Sequence, residues 1–338
     1  MYKLIIVGYI LSIFSGWYLY GNISMGVLSS LSLMGLALIT IIFRPKIYPQ
    51  IRVKEIGIFG FLLVSNLIVA VINDVPVAIW LSRSSWIIIF ILMTFLIDSK
   101  DKAHQILLAV SVSRLVLILL SFVSFGFSGR ATIFLNSPVY SPLVLYAPFY
   151  FMKTKKSLIA VITILIIMLT GSRLLILASI GVVAFQTLKF NLKSILYLLL
   201  VSIFLLLSTQ YISVLDRFND FGSISNDLSF LGKISEIKVM YGYFLRSPLF
   251  GVGFGHIYNN GIDIENFTYT HNLLAFLFGY SGLLGFIIIG KKFIKPIYKN
   301  NPFQLYFAMV LIFCLSTTSY SLPEMSLHFL LSTACVRT

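Results

Sequence analysis

Residues 271–290 read HNLLAFLFGYSGLLGFIIIG. An apolar stretch of about 20 residues is the length that an α-helix needs to cross roughly 30 Å of hydrocarbon, so this segment predicts a membrane-spanning helix. His271 and Asn272 stand at its start. Two interpretations of this pair are open: a polar cap on the helix, or a histidine that acts as general acid or base at the membrane edge. Asn272 is suited to orient the imidazole or to cap the helix.

The rest of the chain repeats this apolar pattern. Of its 338 residues, 59% are hydrophobic and 11% are charged, and the mean hydropathy is +0.98. Soluble domains carry far more charge, so we expect an all-α polytopic bundle of about 11–12 spans that forms one integral membrane domain over residues 1–338. The predicted spans are 4–20, 26–43, 56–72, 75–97, 105–126, 139–152, 157–170, 174–188, 194–212, 269–290 and 302–322, with a shorter one at 325–336.

The formal net charge of +14 does not indicate a nucleic-acid partner, since the basic residues do not cluster on one soluble face. They lie in alternate loops. With the N-terminus in the cytoplasm, most of them face inward, as the positive-inside bias predicts, and anionic membrane lipids are a secondary contact. The inward loops carry Arg44, Lys46, Arg52, Lys54, Lys100, Lys102, Lys153, Lys155, Lys156, Lys189, Lys193, Lys291, Lys292, Lys295 and Lys299.

One connection is long. Residues 213–268 form a predicted outer loop of about 56 residues, and loops of this length in a compact bundle are usually functional or disordered. Within it, NDLSFLGKISEIKVMYGYFLRSP (226–248) has apolar residues at helical spacing, which predicts an amphipathic helix at the membrane surface. The stripe consists of Phe230, Ile234, Ile237, Tyr241 and Phe244.

The loop continues as LFGVGFGHIYNNG (249–261). Its glycines do not have the spacing of a nucleotide-binding motif. They favour tight turns and close backbone approach, with N–H groups exposed to an anion. The four histidines are scattered and no paired-cysteine spacing occurs, so the sequence predicts neither a metal nor a cofactor.

Three arginines stand in or beside the spans. Arg173, in MLTGSRLL (168–175), either anchors a helix end at the headgroups or clamps an anion through its bidentate guanidinium. Arg83 and Arg114 fall inside predicted spans, where a charge is costly, so each should face the bundle interior or a wet cavity. For Arg83 an ion pair with Asp74 and a role in binding a lipid phosphate are both open.

Three segments resemble, in order, the O-antigen polymerase and O-antigen ligase superfamily of bacterial membrane glycosyltransferases. They are TGSRLLILASIG (170–181), LGKISEIKVMYGYFLRSPLFGVGFG (231–255) and THNLLAFLFGYSGLLG (270–285). Together they cover residues 168–290 of the chain. The N-terminal half is similar in topology alone.

The resemblance implies transfer of a glycan from undecaprenyl pyrophosphate at the periplasmic face of the inner membrane, without a metal or a nucleotide sugar. Arg173 matches the arginine of the first motif and His271 the histidine of the third. Lys233 stands where the family usually has an arginine, and lysine lacks the bidentate fork. Arg246 is the candidate replacement. The family often has an acidic residue shortly before the motif glycine at Gly282, and this chain has none there.

The mechanism expected from this resemblance has Arg173, Lys233 and Arg246 holding the pyrophosphate while His271 deprotonates the attacking sugar hydroxyl, with inversion at the anomeric carbon. Asn272, Arg83 and Arg114 are candidate substrate-binding residues. The leading function is polymerisation of lipid-linked oligosaccharide repeat units, with a chain-length regulator protein as candidate partner. The alternatives are ligation of the polymer to lipid A-core and, outside enzymes, a flippase with Arg83 and Arg114 along its cavity.

Overall fold

The chain folds into a bundle of α-helices. The computed structural model describes residues 2–14, 18–20, 23–43, 53–97, 99–125, 132–133, 137–138, 141–170, 228–256, 273–298, 306–308 and 322–336, and positions 175, 178, 179, 181 and 310. The α-helices are α1 (Tyr2–Leu11), α2 (Met25–Phe43), α3 (Val53–Ile72), α4 (Val77–Leu96), α5 (Lys100–Phe125), α6 (Tyr146–Lys153), α7 (Ser157–Met168), α8 (Leu228–Arg246), α9 (Leu273–Tyr298) and α10 (Leu322–Val336). The predicted all-α polytopic architecture is confirmed.

Some of these helices can cross a membrane on their own. Within the described residues, three helical segments are both long and apolar enough to do so: Val77–Leu96, Asp101–Ser124 and Ala275–Ile297. Shorter apolar helices lie at Leu28–Phe43, Ile56–Ile72 and Ser157–Met168. Most of these positions agree with the predicted spans, because long apolar runs need a helix to satisfy their main-chain groups in lipid.

Two predicted spans are interrupted. In the span predicted at 4–20, α1 is only ten residues long and a 3₁₀ turn at Ser12–Phe14 follows it. The chain then forms an antiparallel pair of short strands, β1 (Tyr18–Tyr20) and β2 (Ile23–Ser24). In the span predicted at 139–152, a 3₁₀ turn at Pro142–Leu145 precedes the eight-residue α6.

Other parts of the prediction stay open. The spans predicted at 174–188, 194–212 and 302–322 lie largely outside the described residues, so the total of 11–12 spans remains a prediction. The short span predicted at 325–336 is helical, as α10. A second pair of short strands, β3 (Thr132–Ile133) and β4 (Ser137–Pro138), lies between α5 and α6.

Helix α4 lies at the centre of the described bundle and packs against α2, α3 and α10. An aromatic core joins these helices: the Trp86 and Phe329 rings stack at 5.3 Å, and Phe90 contacts both Phe59 at 4.9 Å and Phe329 at 5.7 Å. From α9, the Lys292 Nζ lies 5.8 Å from the rings of Phe59 and Phe90. Cation–π contacts of this kind let a basic side chain lie against an apolar core.

The loop helix α8 forms as predicted, but its packed side differs from the predicted apolar stripe. Ile237 and Tyr241 of that stripe are exposed, whereas Glu236, Met240 and Tyr243 are buried. Met240 explains the change, since it packs where α9 has Gly279: a Cβ on that glycine would lie 2.6 Å from the Met240 Sδ. Contact with α9 therefore decides which side of α8 is buried.

Candidate active site

Helix α9 is broken at Gly282, and residues 247–253 fill the break. Gly282 has φ +60° and ψ −163°, which stops the regular helical hydrogen bonds there. Main-chain bonds to the segment replace them: Val252 N to Gly279 O (3.1 Å), Gly253 N to Tyr280 O (3.1 Å), Leu283 N to Pro248 O (2.8 Å) and Leu284 N to Leu249 O (3.1 Å). The loop segment thus supplies donors to one half of α9 and acceptors to the other.

Three glycines allow the segment to lie this close to its neighbours. Gly251, Gly253 and Gly255 have φ values of +71°, +90° and +90°, which residues with side chains rarely adopt. Added Cβ atoms would lie 2.4 Å from the Tyr280 carbonyl carbon, 2.6 Å from the Ala70 Cα and 2.7 Å from the Ile79 Cγ2, respectively. The predicted close backbone approach is confirmed. The predicted exposure of N–H groups to an anion is wrong for Val252 and Gly253, because α9 accepts their hydrogen bonds.

Asn66 on α3 connects this segment to three helices. Its side chain is buried, and its Nδ2 donates to the Tyr280 carbonyl at 2.8 Å. Its Oδ1 accepts from the Trp80 Nε1 of α4 at 3.0 Å and from the Phe254 main-chain N–H at 2.9 Å. One amide side chain therefore satisfies groups on α4, α9 and the 247–256 segment.

Near the break in α9, aromatic rings lie between two of the predicted cationic residues, Arg83 and Arg246. The Tyr243 ring lies 5.8 Å from the Tyr280 ring and 5.3 Å from the His256 ring. Arg83 interacts electrostatically with the Tyr280 hydroxyl, and Arg246 with His256. We call these five residues the aromatic–arginine cluster. It brings together side chains from α4, α8, α9 and the 247–256 segment.

His256 is the titratable group of this cluster at the end of the glycine segment. The ring is half-buried, and its main-chain N–H donates to the Gly253 carbonyl at 3.3 Å. Burial lowers the pKa of His256 below 6.5, and the charge of Arg246 lowers it further, whereas a hydrogen-bonding interaction with the Asn73 backbone opposes both. His256 is therefore a neutral imidazole at pH 7.

Two other histidines pair with tyrosines inside the bundle. The His104 Nδ1 shares a hydrogen bond with the Tyr146 hydroxyl, and the His328 Nδ1 lies 3.2 Å from the Tyr306 hydroxyl. Each imidazole also stacks on its tyrosine ring. These contacts connect α5 with α6 and α10 with residue 306, so they hold helices together. Within the described residues, no group of three His, Cys, Asp or Glu side chains could hold a metal ion.

The structure brings only some of the predicted site residues close to one another. Arg246 is exposed at the last position of α8, and Lys233 lies 13 positions earlier on the same helix. At 1.5 Å per residue, their backbones are about 20 Å apart. Arg114 is buried on α5, which packs mainly against α1, α6, α7 and α10. Arg173, His271 and Asn272 lie outside the described residues, although α9 begins at the next position, Leu273.

Several residues of this site did not emerge from the sequence. Asn66 had a usable signal, since a polar side chain within an apolar span usually has a specific partner or function. Tyr243 and Tyr280 had none, because aromatic residues are common in apolar helices. His256 is one of four scattered histidines in the sequence, and its spacing gives no sign of a site. Its neighbours Asn73 and Arg246 are far from each other in sequence, so only the fold could reveal their proximity.

Comparison with known proteins finds a family match in the same part of the chain as the three segments quoted above. No curated protein matches the chain. Residues 158–290, however, match the family model described as O-Antigen ligase. This range includes nearly all of α7, the whole of α8, the 247–256 segment, and α9 through its break at Gly282. Residues 158–290 are therefore similar to the O-antigen ligase family, which supports the resemblance to the O-antigen polymerase and ligase superfamily.

Proposed function

We propose that this protein is a polymerase that joins undecaprenyl-pyrophosphate-linked oligosaccharide repeat units at the periplasmic face of the bacterial inner membrane. The family supports O-antigen polymerase or ligase activity in general. We favour the polymerase because this chain departs from the family pattern at Lys233 and before Gly282, and polymerases are the more divergent group. In this proposal the N-terminus is cytoplasmic and the aromatic–arginine cluster faces the periplasm.

The observation that carries the proposal is that Arg83 and Arg246, from different helices, both interact with the aromatic residues of the cluster: Arg83 with Tyr280, and Arg246 with His256. Both residues come from the periplasmic ends of their helices in the proposed topology, and guanidinium groups bind phosphate oxygens through paired hydrogen bonds. The cluster adjoins the broken helix α9, and interrupted helices in membrane proteins commonly lie beside substrate sites. The arrangement suits a lipid-linked anion that approaches from the membrane.

The proposed reaction is a displacement at the anomeric carbon. The acceptor hydroxyl oxygen bonds to that carbon, the bond from carbon to the pyrophosphate oxygen breaks, and its electron pair leaves with the pyrophosphate. Arg173 and Arg246 stabilise that negative charge, and His271 takes the proton of the hydroxyl. We assign Asn272 to orient His271. Arg83 and Arg114 are proposed to contact the lipid-linked substrate.

The distance between Lys233 and Arg246 changes the role that we propose for Lys233. A pyrophosphate is much shorter than the approximately 20 Å between the two backbone positions on α8. We therefore propose that Lys233 contacts the glycan away from the pyrophosphate. This assignment predicts that the effects of neutralising Lys233 and Arg246 on transfer multiply, as expected for distant residues that contact different groups of the substrate.

The test of function uses purified protein in lipid nanodiscs with the lipid-linked repeat unit extracted from cells that lack this gene. A polymerase lengthens the glycan without an energy source, whereas a flippase leaves its length unchanged. A lipopolysaccharide gel of the deletion strain separates the two enzymes: core with one repeat indicates a lost polymerase, and bare core indicates a lost ligase. Full transfer by His271→Ala would exclude its role as base.

Arg246→Gln should lower glycan transfer about ten- to a hundredfold, the cost of losing a charged hydrogen bond to the departing group. The matched control is Lys238→Gln, which removes an exposed cation from the same helix and should leave transfer within about twofold of the wild type. Turnover of the lipid-linked repeat measures both. Equal losses in the two variants would show that only the overall charge of α8 matters.

A further inference from the structure

The 247–256 segment is built to hold His256 in one place. Its main chain is bonded to α9 at Gly279 and Tyr280. The Phe254 N–H is bonded to Asn66, and the Val252 carbonyl accepts from the Asn73 Nδ2 at 3.2 Å. Backbone held by both α3 and α9 has little freedom, so the imidazole that follows it is preorganised.

The neutral His256 ring has both a donor and an acceptor. It carries its proton on one ring nitrogen, so the other nitrogen is a hydrogen-bond acceptor. No described side chain hydrogen-bonds the ring. The edge-to-face contact with Tyr243 fixes the plane of the imidazole. The ring therefore offers an acceptor at a half-buried position.

An acceptor next to a guanidinium suits a particular ligand. Arg246 follows Tyr243 by three positions on α8, so it lies on the helix face from which the Tyr243 ring contacts His256. Arg246 offers only donors, and His256 adds an acceptor on the same side. A phosphate oxygen can use the donors but gains nothing from a neutral acceptor. A sugar hydroxyl next to that phosphate can donate to the acceptor, so the two side chains bind neighbouring groups of one ligand. The pair thus has the polarity for a saccharide hydroxyl next to an anion.

We propose that His256 is a saccharide-binding residue, which accepts a hydrogen bond from a hydroxyl of the lipid-linked glycan while Arg246 holds the adjacent phosphate. This inference rests on the proposed function and adds to it a contact on the sugar. His256 is distinct from the proposed base His271, since it binds the glycan and does not receive the proton released in the reaction.

The experiment measures transfer and its inhibition by two probes: inorganic pyrophosphate, and the free oligosaccharide released from the repeat unit by mild acid. His256→Ala should raise the KM for the lipid-linked repeat about tenfold with little change in kcat, since one neutral hydrogen bond is lost. Inhibition by the free oligosaccharide should weaken by a similar factor. Inhibition by pyrophosphate should stay unchanged. His256→Gln keeps an acceptor and should recover most of the affinity.

The pH dependence separates this role from a structural one. Below pH 6.5 the imidazole gains a proton and loses its acceptor, so the KM of the wild type should rise as the pH falls through the lowered pKa. The His256→Gln variant should lack that rise. The charged and titratable neighbours are Arg246 and Tyr243 on α8, Asp74 beside Asn73 in the turn between α3 and α4, and Arg83 with Tyr280 across the cluster.

Each outcome decides between the claims. An active wild type whose KM and oligosaccharide inhibition are unchanged in His256→Ala would overturn the inference and leave the proposed function standing. A change in pyrophosphate inhibition alone would also overturn it, because the contact would then be with the phosphate. A wild type that neither lengthens nor transfers the glycan would overturn the proposed function, and the inference with it. Lys238→Gln serves again as the variant expected to behave as wild type.

Discussion

Gly282→Ala should remove most of the folded protein from the membrane. Its Cβ would lie 2.5 Å from the Gly251 N and 2.6 Å from the Leu249 carbonyl, closer than main-chain atoms can tolerate. The conformation at φ +60° and ψ −163° is itself open almost only to glycine. Strain and overpacking together should cost roughly 2–6 kcal/mol. Thermal unfolding in detergent, followed by size exclusion, measures the loss.

The control for this change lies in the same helix. Gly290 has no atom within 4 Å of an added Cβ, so Gly290→Ala should leave the unfolding temperature unchanged or raise it slightly. A Gly282→Ala variant as stable as Gly290→Ala would show that α9 does not require its break. Transfer activity should follow folded protein in both variants, because neither change adds or removes a polar side chain.

Asn66→Leu should be the second large loss. It leaves the Trp80 Nε1 and the Phe254 N–H without their acceptor, whereas the Tyr280 carbonyl keeps the hydrogen bond from Gly253. Two buried donors without partners should cost about 2–6 kcal/mol of unfolding free energy. Ser65→Ala is the neighbouring control, since among the described residues the Ser65 hydroxyl bonds only to the carbonyl of Leu62 in its own helix.

A double-mutant cycle separates the two donors. Trp80→Phe removes the indole N–H, so adding it to Asn66→Leu should cost less than it does in the wild type. The difference measures the penalty of the orphaned indole. If the two changes simply add, Asn66 and Trp80 are independent and the bond between them contributes little to stability. Unfolding temperatures of the four proteins in the same detergent provide the comparison.

The helical architecture followed from sequence because apolar length alone decides whether a segment can cross a membrane. Helix α8 also followed, from its spacing and from Pro248 at its end. Its buried side did not, because it depends on another helix: α9 packs Gly279 against Met240 and Tyr280 against Tyr243. The 4–20 span was also wrong, since hydropathy does not show where a helix gives way to a turn.

The site was predictable in parts. Arg83 is a candidate phosphate ligand because its charge falls inside a predicted span, and Arg246 is one through the family resemblance. The fold brings both to the rings of Tyr243 and Tyr280. Their connection could not be read from the chain, because the rings belong to different helices. The break at Gly282 was also hidden. Glycines are common in membrane helices and this span has four of them, so only the approach of residues 247–253 distinguishes Gly282.

The three partners of Asn66 are synthesised at very different times. Trp80 follows it by 14 residues, but Phe254 follows by 188 and Tyr280 by 214. During translation, α3 and α4 can therefore enter the membrane as a pair already joined by the amide and the indole. The Asn66 Nδ2 cannot donate to the Tyr280 carbonyl until α9 has been synthesised. The site therefore cannot be complete until α9 has been synthesised, long after the two helices on which it is assembled.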